Sequence, residues 1–155
     1  MVSIASIDEP DPLENALSHL QCILVARRAR YTSEAVNWAQ YDILELLRLQ
    51  GAMTPSLLGA RLGVARTGIS KSLRVLKDLG LVAQAQGEDD RREQLTLLAP
   101  RGRDFLMRAA MGRHDAALRV MAALSPGEQA IFTELCEKVS AALQISGQAD
   151  EREPA

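Results

Sequence analysis

The segment spanning residues 65–79, ARTGISKSLRVLKDL, constrains the fold more than any other part of the chain. At helical spacing, Ile69, Leu73 and Leu76 form one apolar stripe, as expected of an amphipathic helix packed on a core. The opposite face holds hydroxyls and long cations, and no carboxylate precedes Asp78. Such groups can bond phosphates and base edges, whereas a carboxylate there would repel a nucleic-acid backbone. For an isolated helix, a solvated surface is the commoner explanation of such a polar face. The neighbouring segments therefore decide whether this helix is a DNA-binding helix or only a surface helix.

The segment before this helix predicts a helix-turn-helix. Thr54 suits an N-cap and Pro55 the first turn of a short helix that we expect to end near Leu62. Gly63 suits the positive φ at which such a helix ends. Two short helices joined by a tight turn form a helix-turn-helix, and the second of them enters the major groove of DNA.

The segment after it predicts a β-hairpin. Residues 81–86 and 94–98 have the pattern of two short strands around the charged loop GEDDRRE. In the second strand, leucines at 95 and 97 alternate with polar residues at 94 and 96, so we expect the two leucines to face the core. A hairpin directly after a helix-turn-helix makes a winged helix, and the charged loop then forms the tip of the wing.

The loop and the residues after it resemble the DxR…LTPxG wing motif of MarR-family transcriptional regulators, whose spacing they match without a gap. The matching run is Asp90, Arg91 and Arg92, followed by Leu98, Pro100 and Gly102. Two positions depart from the family pattern: Ala99 stands where a helix-capping Thr is usual, and Ala65 where many members have Ser or Thr. A lost cap costs on the order of 1 kcal/mol. The resemblance covers residues 13–143 and implies a two-fold dimer that binds double-stranded DNA.

The predicted fold is mainly α with a small antiparallel β-hairpin wing. Residues 37–99 are expected to form the winged-helix DNA-binding lobe, and residues 11–36 and 100–146 the flanking dimerisation helices. Together these make a single MarR-like domain, residues 11–146, between two disordered tails, residues 1–10 and 147–155.

The terminal helices carry more apolar surface than one small wing domain can cover. Capping motifs at Asp11, Asn37 and Ser125 mark the helix starts. We expect the last helix to bury the stripe formed by Ile131, Leu135, Val139 and Leu143. Pairing with a second copy would bury such stripes, and a homodimer would place two recognition helices about one helical turn apart on a pseudo-palindromic site.

The charge distribution favours DNA binding although the formal net charge of −2 does not. Cations outnumber acids between residues 61 and 92, and the acids of the chain collect in its tails. We assign DNA reading to Arg66, Thr67, Ser70, Lys71 and Arg74. The resemblance implies that Arg92 enters the minor groove, supported by Asp90, and we expect Arg91 to meet a phosphate. The alternative for both arginines is a charged loop tip that only keeps the protein soluble.

The resemblance also implies a small-molecule effector. Many MarR-family members bind small aromatic or phenolic carboxylates between the dimer helices and the wing domain. Arg27, Arg30, Trp38 and Tyr41 lie where such a pocket would form. An Arg can clamp a carboxylate and a Trp can wall a ring. The alternative, with arginines at the surface and aromatics in the core, is the one that the residues alone favour.

Redox sensing through Cys22 is a further hypothesis. Some peroxide-sensing relatives carry a reactive cysteine in the first helix, but the tyrosines that flank it there are absent here. Cys22, between Leu20 and Ile23, is therefore expected to pack as a small hydrophobe. Cys136 is expected to lie in the core or in an interface. Two cysteines so far apart do not suggest a disulfide framework.

The sequence gives no support for a metal site, a cofactor, catalysis or membrane insertion. His19 and His114 are well separated, and there is no CxxC motif or phosphate-binding glycine loop. No segment has the pattern of a signal peptide or a membrane span, so a cytoplasmic location is expected. The leading hypothesis is a homodimeric repressor, not an enzyme, released from its operator by a small-molecule effector. The alternatives are redox regulation through Cys22 and a winged-helix module that binds only protein.

Overall fold

The computed structural model describes residues 11–31, 35–86 and 94–146, so the predicted tails lie outside the described residues. The chain divides after Thr32 into two compact units. The first unit holds α1 (Pro12–Arg28) and a 3-10 turn (Ala29–Tyr31). The second unit holds α2 (Trp38–Gln50), α3 (Pro55–Leu62), α4 (Arg66–Asp78), β1 (Val82–Gln86), β2 (Gln94–Leu98), α5 (Pro100–Ala123) and α6 (Pro126–Ser146).

The predicted helix starts are confirmed by their caps. The Asp11 carboxylate accepts a hydrogen bond of 2.7 Å from the backbone N–H two residues on. Asn37 and Gln40 form a complete capping box, in which each side chain accepts from the other residue's N–H, at 2.9 and 3.0 Å. Before α6, the Glu128 carboxylate accepts from the Ser125 N–H at 2.8 Å. These bonds satisfy N–H groups that a helix end leaves without an intrahelical partner.

The predicted helix-turn-helix is formed by α3 and α4. The Thr54 hydroxyl caps α3 by accepting from the Leu57 N–H at 3.2 Å. The helix ends at Gly63, whose φ of 64° lies in the left-handed region that glycine adopts without a Cβ penalty. Two residues, Val64 and Ala65, then connect Gly63 to α4. The turn is therefore tight, although it is one residue longer than the single residue, Val64, expected from the sequence, because Ala65 is the N-cap of α4.

The hairpin is antiparallel and is joined to the segment before α3. Its register runs from Val82 opposite Leu98 to Gln86 opposite Gln94. Met53 and Thr96 exchange two backbone hydrogen bonds, with N···O distances of 3.0 and 2.7 Å, so the α2–α3 connection lies along β2. The base of the wing is thus fixed to the helix-turn-helix by main-chain bonds.

The prediction that Leu95 and Leu97 face the core is wrong. Thr96 is fully buried and Leu98 is buried, whereas the two leucines are half-buried. The reason is that Met53 covers Thr96 through the backbone bridge and that Leu98 joins the core cluster with Val82. Side chains on a strand alternate between its two faces, so these contacts turn Thr96 and Leu98 toward the core and the two leucines away from it.

The core of the second unit lies between α2, α3, α4, the hairpin and the start of α5. Its fully buried large side chains are Ile43, Leu44, Leu58, Ile69, Leu76 and Leu106. Each of these elements contributes at least one apolar side chain to a single cluster. The position of the recognition helix α4 is therefore set by the core side chains that it shares with α2, α3, the hairpin and α5.

A close backbone contact at Gly102 joins α5 to the hairpin. A Cβ at this position would lie 2.1 Å from the Leu81 carbonyl oxygen, a distance that only glycine avoids. The same oxygen accepts from the Ala99 N–H at 3.0 Å. The glycine of the wing motif is thus required by the approach of α5 to the residue before β1.

The terminal helices do not bury their apolar stripes within the chain. On α6, Ile131 and Leu143 are 60% and 62% exposed in the single chain, so burial of this stripe against a second copy stays a prediction. Cys136 on the same helix is exposed, so of the two expected locations the core is excluded and an interface stays a prediction. Cys22 on α1 is also exposed and does not pack as a small hydrophobe within the chain.

Candidate nucleic-acid interface

The two faces of α4 are chemically opposite. Ile69, Leu73 and Leu76 are 1%, 3% and 0% exposed, which confirms the predicted apolar stripe. The exposed residues of the other face are Arg66, Thr67, Ser70, Lys71, Arg74 and Lys77. Burial of the stripe fixes the rotation of the helix about its axis. The cations and hydroxyls must then face solvent.

The five residues to which the sequence assigned DNA reading lie together. They line one surface depression of about 420 Å³ along the outer side of α4: Arg66, Thr67, Ser70, Lys71 and Arg74. Three of the five are cations, and the acid of α4 comes only at its last residue, Asp78. An array of cations and hydroxyls on one helix can meet both phosphate oxygens and the acceptor atoms of base edges in a major groove.

The start of α4 suits an anion. Its N-cap is Ala65, whose side chain has no oxygen to accept from the first-turn N–H groups. Those N–H groups and the helix dipole attract negative charge. Arg66, the first helical residue, adds a full positive charge beside them. The departure from the family pattern at Ala65 therefore leaves the anion-attracting end of the helix in place.

The predicted wing-tip residues Asp90, Arg91 and Arg92 lie outside the described residues. The strands that lead to them are described: β1 ends at Gln86 and β2 begins at Gln94, and these two residues face each other in the register. Residues 87–93 connect these two paired strand ends. The roles of the three residues in DNA contact stay predictions.

One contact of the recognition helix was not foreseen from the sequence. The Lys77 ammonium donates to the side-chain carbonyl oxygen of Gln84 on β1, at 3.1 Å. The two residues are seven positions apart and lie on different elements, so no helical or strand periodicity relates them. The sequence offers one signal for this contact. Gln84 is a polar residue in the middle of a short strand, which indicates that its side chain faces away from the core.

Comparison with known proteins places this geometry in a family. Residues 36–93, which contain α2, α3, α4 and the hairpin segment, match the MarR family. Residues 36–93 therefore resemble the winged helix-turn-helix of the MarR family. An HTH-type transcriptional regulator of Mycobacterium tuberculosis is 27% identical over 119 residues, which cover 77% of this chain and 83% of the relative.

Solved structures show the same fold over most of the chain. NadR in complex with 4-hydroxyphenylacetate aligns with a TM-score of 0.74 at 15% identity, over 88% of this chain and 98% of NadR. The apo form of MarR from E. coli aligns with a TM-score of 0.66 at 22% identity, over 84% of this chain and 98% of MarR. At these identities the likeness shows the fold. The shared fold therefore extends beyond the matched segment to most of the chain.

The predicted effector residues of this MarR-like chain fall in both compact units. Trp38 and Tyr41 are half-buried one turn apart on α2, and their rings meet edge to face with centroids 5.4 Å apart. Tyr41 also packs against the core cluster. Arg27 is half-buried near the end of α1 and Arg30 is exposed in the 3-10 turn. A pocket that joins the arginines to the aromatics stays a prediction.

Two charged contacts, also missed from the sequence, tie the MarR-like lobe to α5 and α6. Glu45 on α2 accepts from Arg113 on α5 at 3.2 Å. Arg61 on α3 donates to the side-chain carbonyl of Gln144 on α6. Both pairs join residues more than sixty positions apart, which local sequence patterns do not relate.

Other kinds of site find no support among the described residues. Residues 11–31, 35–86 and 94–146 hold no cluster of three His, Cys, Asp or Glu side chains able to bind a metal ion. None of the described helices combines the length and the apolar character needed to cross a bilayer.

Proposed function

We propose that the chain is a homodimeric, sequence-specific DNA-binding regulator, most simply a repressor, that leaves its operator when a small aromatic or phenolic carboxylate binds. The observation that carries the proposal is the exposed face of α4, where Thr67, Ser70, Lys71 and Arg74 are held outward by a buried stripe. The match of residues 36–93 to the MarR family supports the same role.

Different side chains of α4 suit different groups on DNA. Lys71 and Arg74 present long donors, and an Arg or Lys that reaches guanine O6 and N7 discriminates between bases by about 1–3 kcal/mol. Thr67 and Ser70 present hydroxyls that bond to phosphates or to base edges. Arg66 stands at the N-terminus, where the helix end attracts phosphate. The combination supports both affinity and sequence preference.

The homodimer is supported by the uncovered apolar faces. Leu17, Leu20 and Leu24 on α1 are each more than 40% exposed, and Leu135 and Val139 on α6 are similar. Contiguous apolar faces of this kind are seldom left in water by soluble proteins. A second copy supplies the same faces by symmetry and sets the two α4 helices on successive half-sites.

The effector class is supported by one structural relative and by the aromatic pair. NadR was solved with 4-hydroxyphenylacetate, which is a phenolic carboxylate. Trp38 and Tyr41 offer aromatic surface, and Arg27 and Arg30 offer guanidinium groups. An effector releases DNA when it binds more tightly to a dimer whose recognition helices no longer fit the half-site spacing. The strength of this coupling equals the difference in the effector's affinity for the DNA-bound and the released conformations of the dimer.

The test begins with duplexes selected by the purified protein from a random pool, followed by fluorescence anisotropy in a salt series. We expect nanomolar binding that weakens steeply with salt, and a loss of about tenfold or more in Lys71→Ala and Arg74→Ala. Arg119→Ala, which removes an exposed cation near the far end of α5, is the matched control and should stay within about twofold. Failure to enrich any duplex would contradict the DNA-binding role and favour the protein-only module.

The dimer and the signal are tested on the same complex. Leu135→Lys should shift the sedimentation coefficient from dimer to monomer and abolish tight operator binding, whereas the exposed control Lys138→Ala should not. Addition of 4-hydroxyphenylacetate to the wild-type complex should release DNA. If peroxide releases the DNA from the wild type but not from Cys22→Ser, and 4-hydroxyphenylacetate releases none, the redox alternative would replace the small-molecule signal.

A further inference from the structure

A second cleft lies beside α4, on the side that faces the hairpin. Its floor includes Leu73, which is buried, and its volume is about 370 Å³. Its cationic and neutral polar lining residues are Arg66, Ser70, Arg74, Lys77, Gln84 and Gln94. The cleft therefore has one wall from the recognition helix and one from the two strands of the wing.

The cleft has the size and the charge to hold an extended anion. At about 30 Å³ per water molecule in the liquid, its volume equals roughly a dozen waters, enough for a phosphodiester group and its neighbouring sugars. Three cations line it, and the single acid among its lining residues, Asp78, is the last residue of α4. The amides of Gln84 and Gln94 add neutral hydrogen-bond donors on the strand side.

A side-chain hydrogen bond joins the two walls. Lys77 donates to Gln84 across the cleft at 3.1 Å, and this bond joins the last turn of α4 to the middle of β1. A Gln whose carbonyl oxygen already accepts from Lys77 presents its NH₂ group as a donor. The bond thus orders a lysine ammonium and an amide as neighbouring donors before any ligand arrives.

We propose that this cleft binds the sugar–phosphate backbone of one DNA strand and contributes affinity without reading sequence. The assignment rests on the proposed function, because it requires α4 to lie in the major groove. A strand at the edge of that groove passes between the recognition helix and the wing, where the cleft opens. Lys77, Gln84 and Gln94 are then phosphate-contacting residues in addition to those of the outer face of α4.

The structure offers a matched pair of lysines for the test. Lys71 lines the outer depression and not the cleft, whereas Lys77 lines the cleft and not the outer depression. Both are exposed lysines of the same helix, so removal of either deletes one charge from one element. Their effects on a selected duplex and on a scrambled duplex should therefore separate base reading from backbone binding.

Lys77→Ala should weaken binding to the selected and the scrambled duplex by the same factor, roughly five- to tenfold per subunit at 0.1 M salt, and lower the salt slope by about 0.9 per subunit. Lys71→Ala should weaken binding to the selected duplex more than to the scrambled one. Gln84→Ala should weaken both duplexes equally with the salt slope unchanged, because it removes no charge. Thermal melting of each variant confirms that it is folded.

Neutral methylphosphonate links, placed one at a time in the selected duplex, locate the contact. One position in each half-site should weaken the wild type and have no effect on Lys77→Ala. The cleft assignment is overturned if the wild type binds DNA with salt dependence while Lys77→Ala keeps the full slope and every sensitive phosphate. Absence of DNA affinity in the wild type would instead remove the proposed function, and the assignment with it.

Discussion

Arg113 of α5 donates from one guanidinium nitrogen to both carboxylate oxygens of Glu45 on α2, at 3.3 and 3.2 Å. The same carboxylate accepts from Arg48 on its own helix at 3.0 Å, and this hydrogen bond raises the pKa of the Arg48 guanidinium. The Glu45 side chain is 19% exposed and that of Arg113 is 40% exposed. Water therefore screens the pair, which joins the wing lobe to α5 with modest energy.

Removal of this link should cost little stability. Arg113→Ala and Glu45→Gln are each expected to lower the free energy of unfolding by about 0.2–1 kcal/mol, because the pair is partly exposed. Urea unfolding of both variants and of the double variant gives the coupling energy between the two residues. Arg119→Ala, whose pair with Asp115 lies within α5, is the control and should show less. A cost above about 2 kcal/mol would mean that the link is shielded from water.

Gly102→Ala should destabilise the protein strongly. The new Cβ would lie 2.1 Å from the Leu81 carbonyl oxygen, so either α5 or the residue before β1 must move. The expected loss is about 1–3 kcal/mol or more, measured by thermal or urea unfolding. Gly127→Ala is the control, since a Cβ there meets no atom within 4 Å and alanine favours the helix. Equal stability of the two variants would contradict the close approach.

Thr96→Val should stabilise the protein. The Thr96 side chain is fully buried, and its hydroxyl has no hydrogen-bond partner among the described residues. Valine has nearly the same shape, so the substitution removes an unsatisfied polar group at little packing cost, with an expected gain of about 1 kcal/mol. Thr96→Ser, which keeps the hydroxyl and loses the methyl group, should be destabilising. A loss of stability in Thr96→Val would show that the hydroxyl is hydrogen-bonded.

Ala99→Ser should stabilise the start of α5. Ala99 has the extended N-cap geometry, with φ of −72° and ψ of 161°, but its side chain offers no oxygen to the first turn. A serine there can accept from the helix N–H groups, and the expected gain is about 1 kcal/mol. Ala117→Ser, at an exposed position in the interior of the same helix, should instead lower stability slightly because serine is a weaker helix former. A rise in melting temperature confined to Ala99→Ser is the predicted result.

The capping box at the start of α6 should make stability depend on acidity. Hydrogen bonds from the backbone and the hydroxyl of Ser125 hold the pKa of Glu128 below its ordinary value of 4.5. A depressed pKa means that the contribution is complete above pH 4.5 and is lost as the pH falls through the folded-state value. The wild type should therefore melt above Glu128→Gln at pH 7, and the difference should shrink toward pH 3. In a Ser125→Ala background the difference should be smaller but still present, because the backbone N–H of residue 125 continues to donate to the Glu128 carboxylate.

Features that depend on residues close in sequence, such as helix ends and apolar stripes, were predictable from the sequence. Contacts between elements distant in sequence were not. Thr54, Gly63 and Asn37 act on N–H and C=O groups within a few residues, so their patterns define the helix ends directly. The stripe Ile69, Leu73 and Leu76 was predictable for the same reason. The inward face of β2 was mistaken, because the bridge from Met53 decides it and lies forty-three residues away along the chain.

The same limit applies to the interface. The outer face of α4 follows from helical periodicity, so Lys71 and Arg74 were found. The cleft beside it needs Gln84 and Gln94 from the hairpin, and only the fold places them opposite Lys77. The helical pattern of α6 was found correctly, yet a single chain does not bury its stripe. Periodicity identifies an apolar face without stating which surface covers it.

The backbone bridge between Met53 and Thr96 has a mechanical consequence. Because the connection between α2 and α3 and the strand β2 share two main-chain bonds, the wing has no free hinge at its base. Because α2, α3, α4 and the hairpin also share one core cluster, we expect the lobe to respond to a push at an edge by turning as a unit. A signal that reaches α2 would then be transmitted to the reading helix as a rotation, with the shape of the reading surface unchanged.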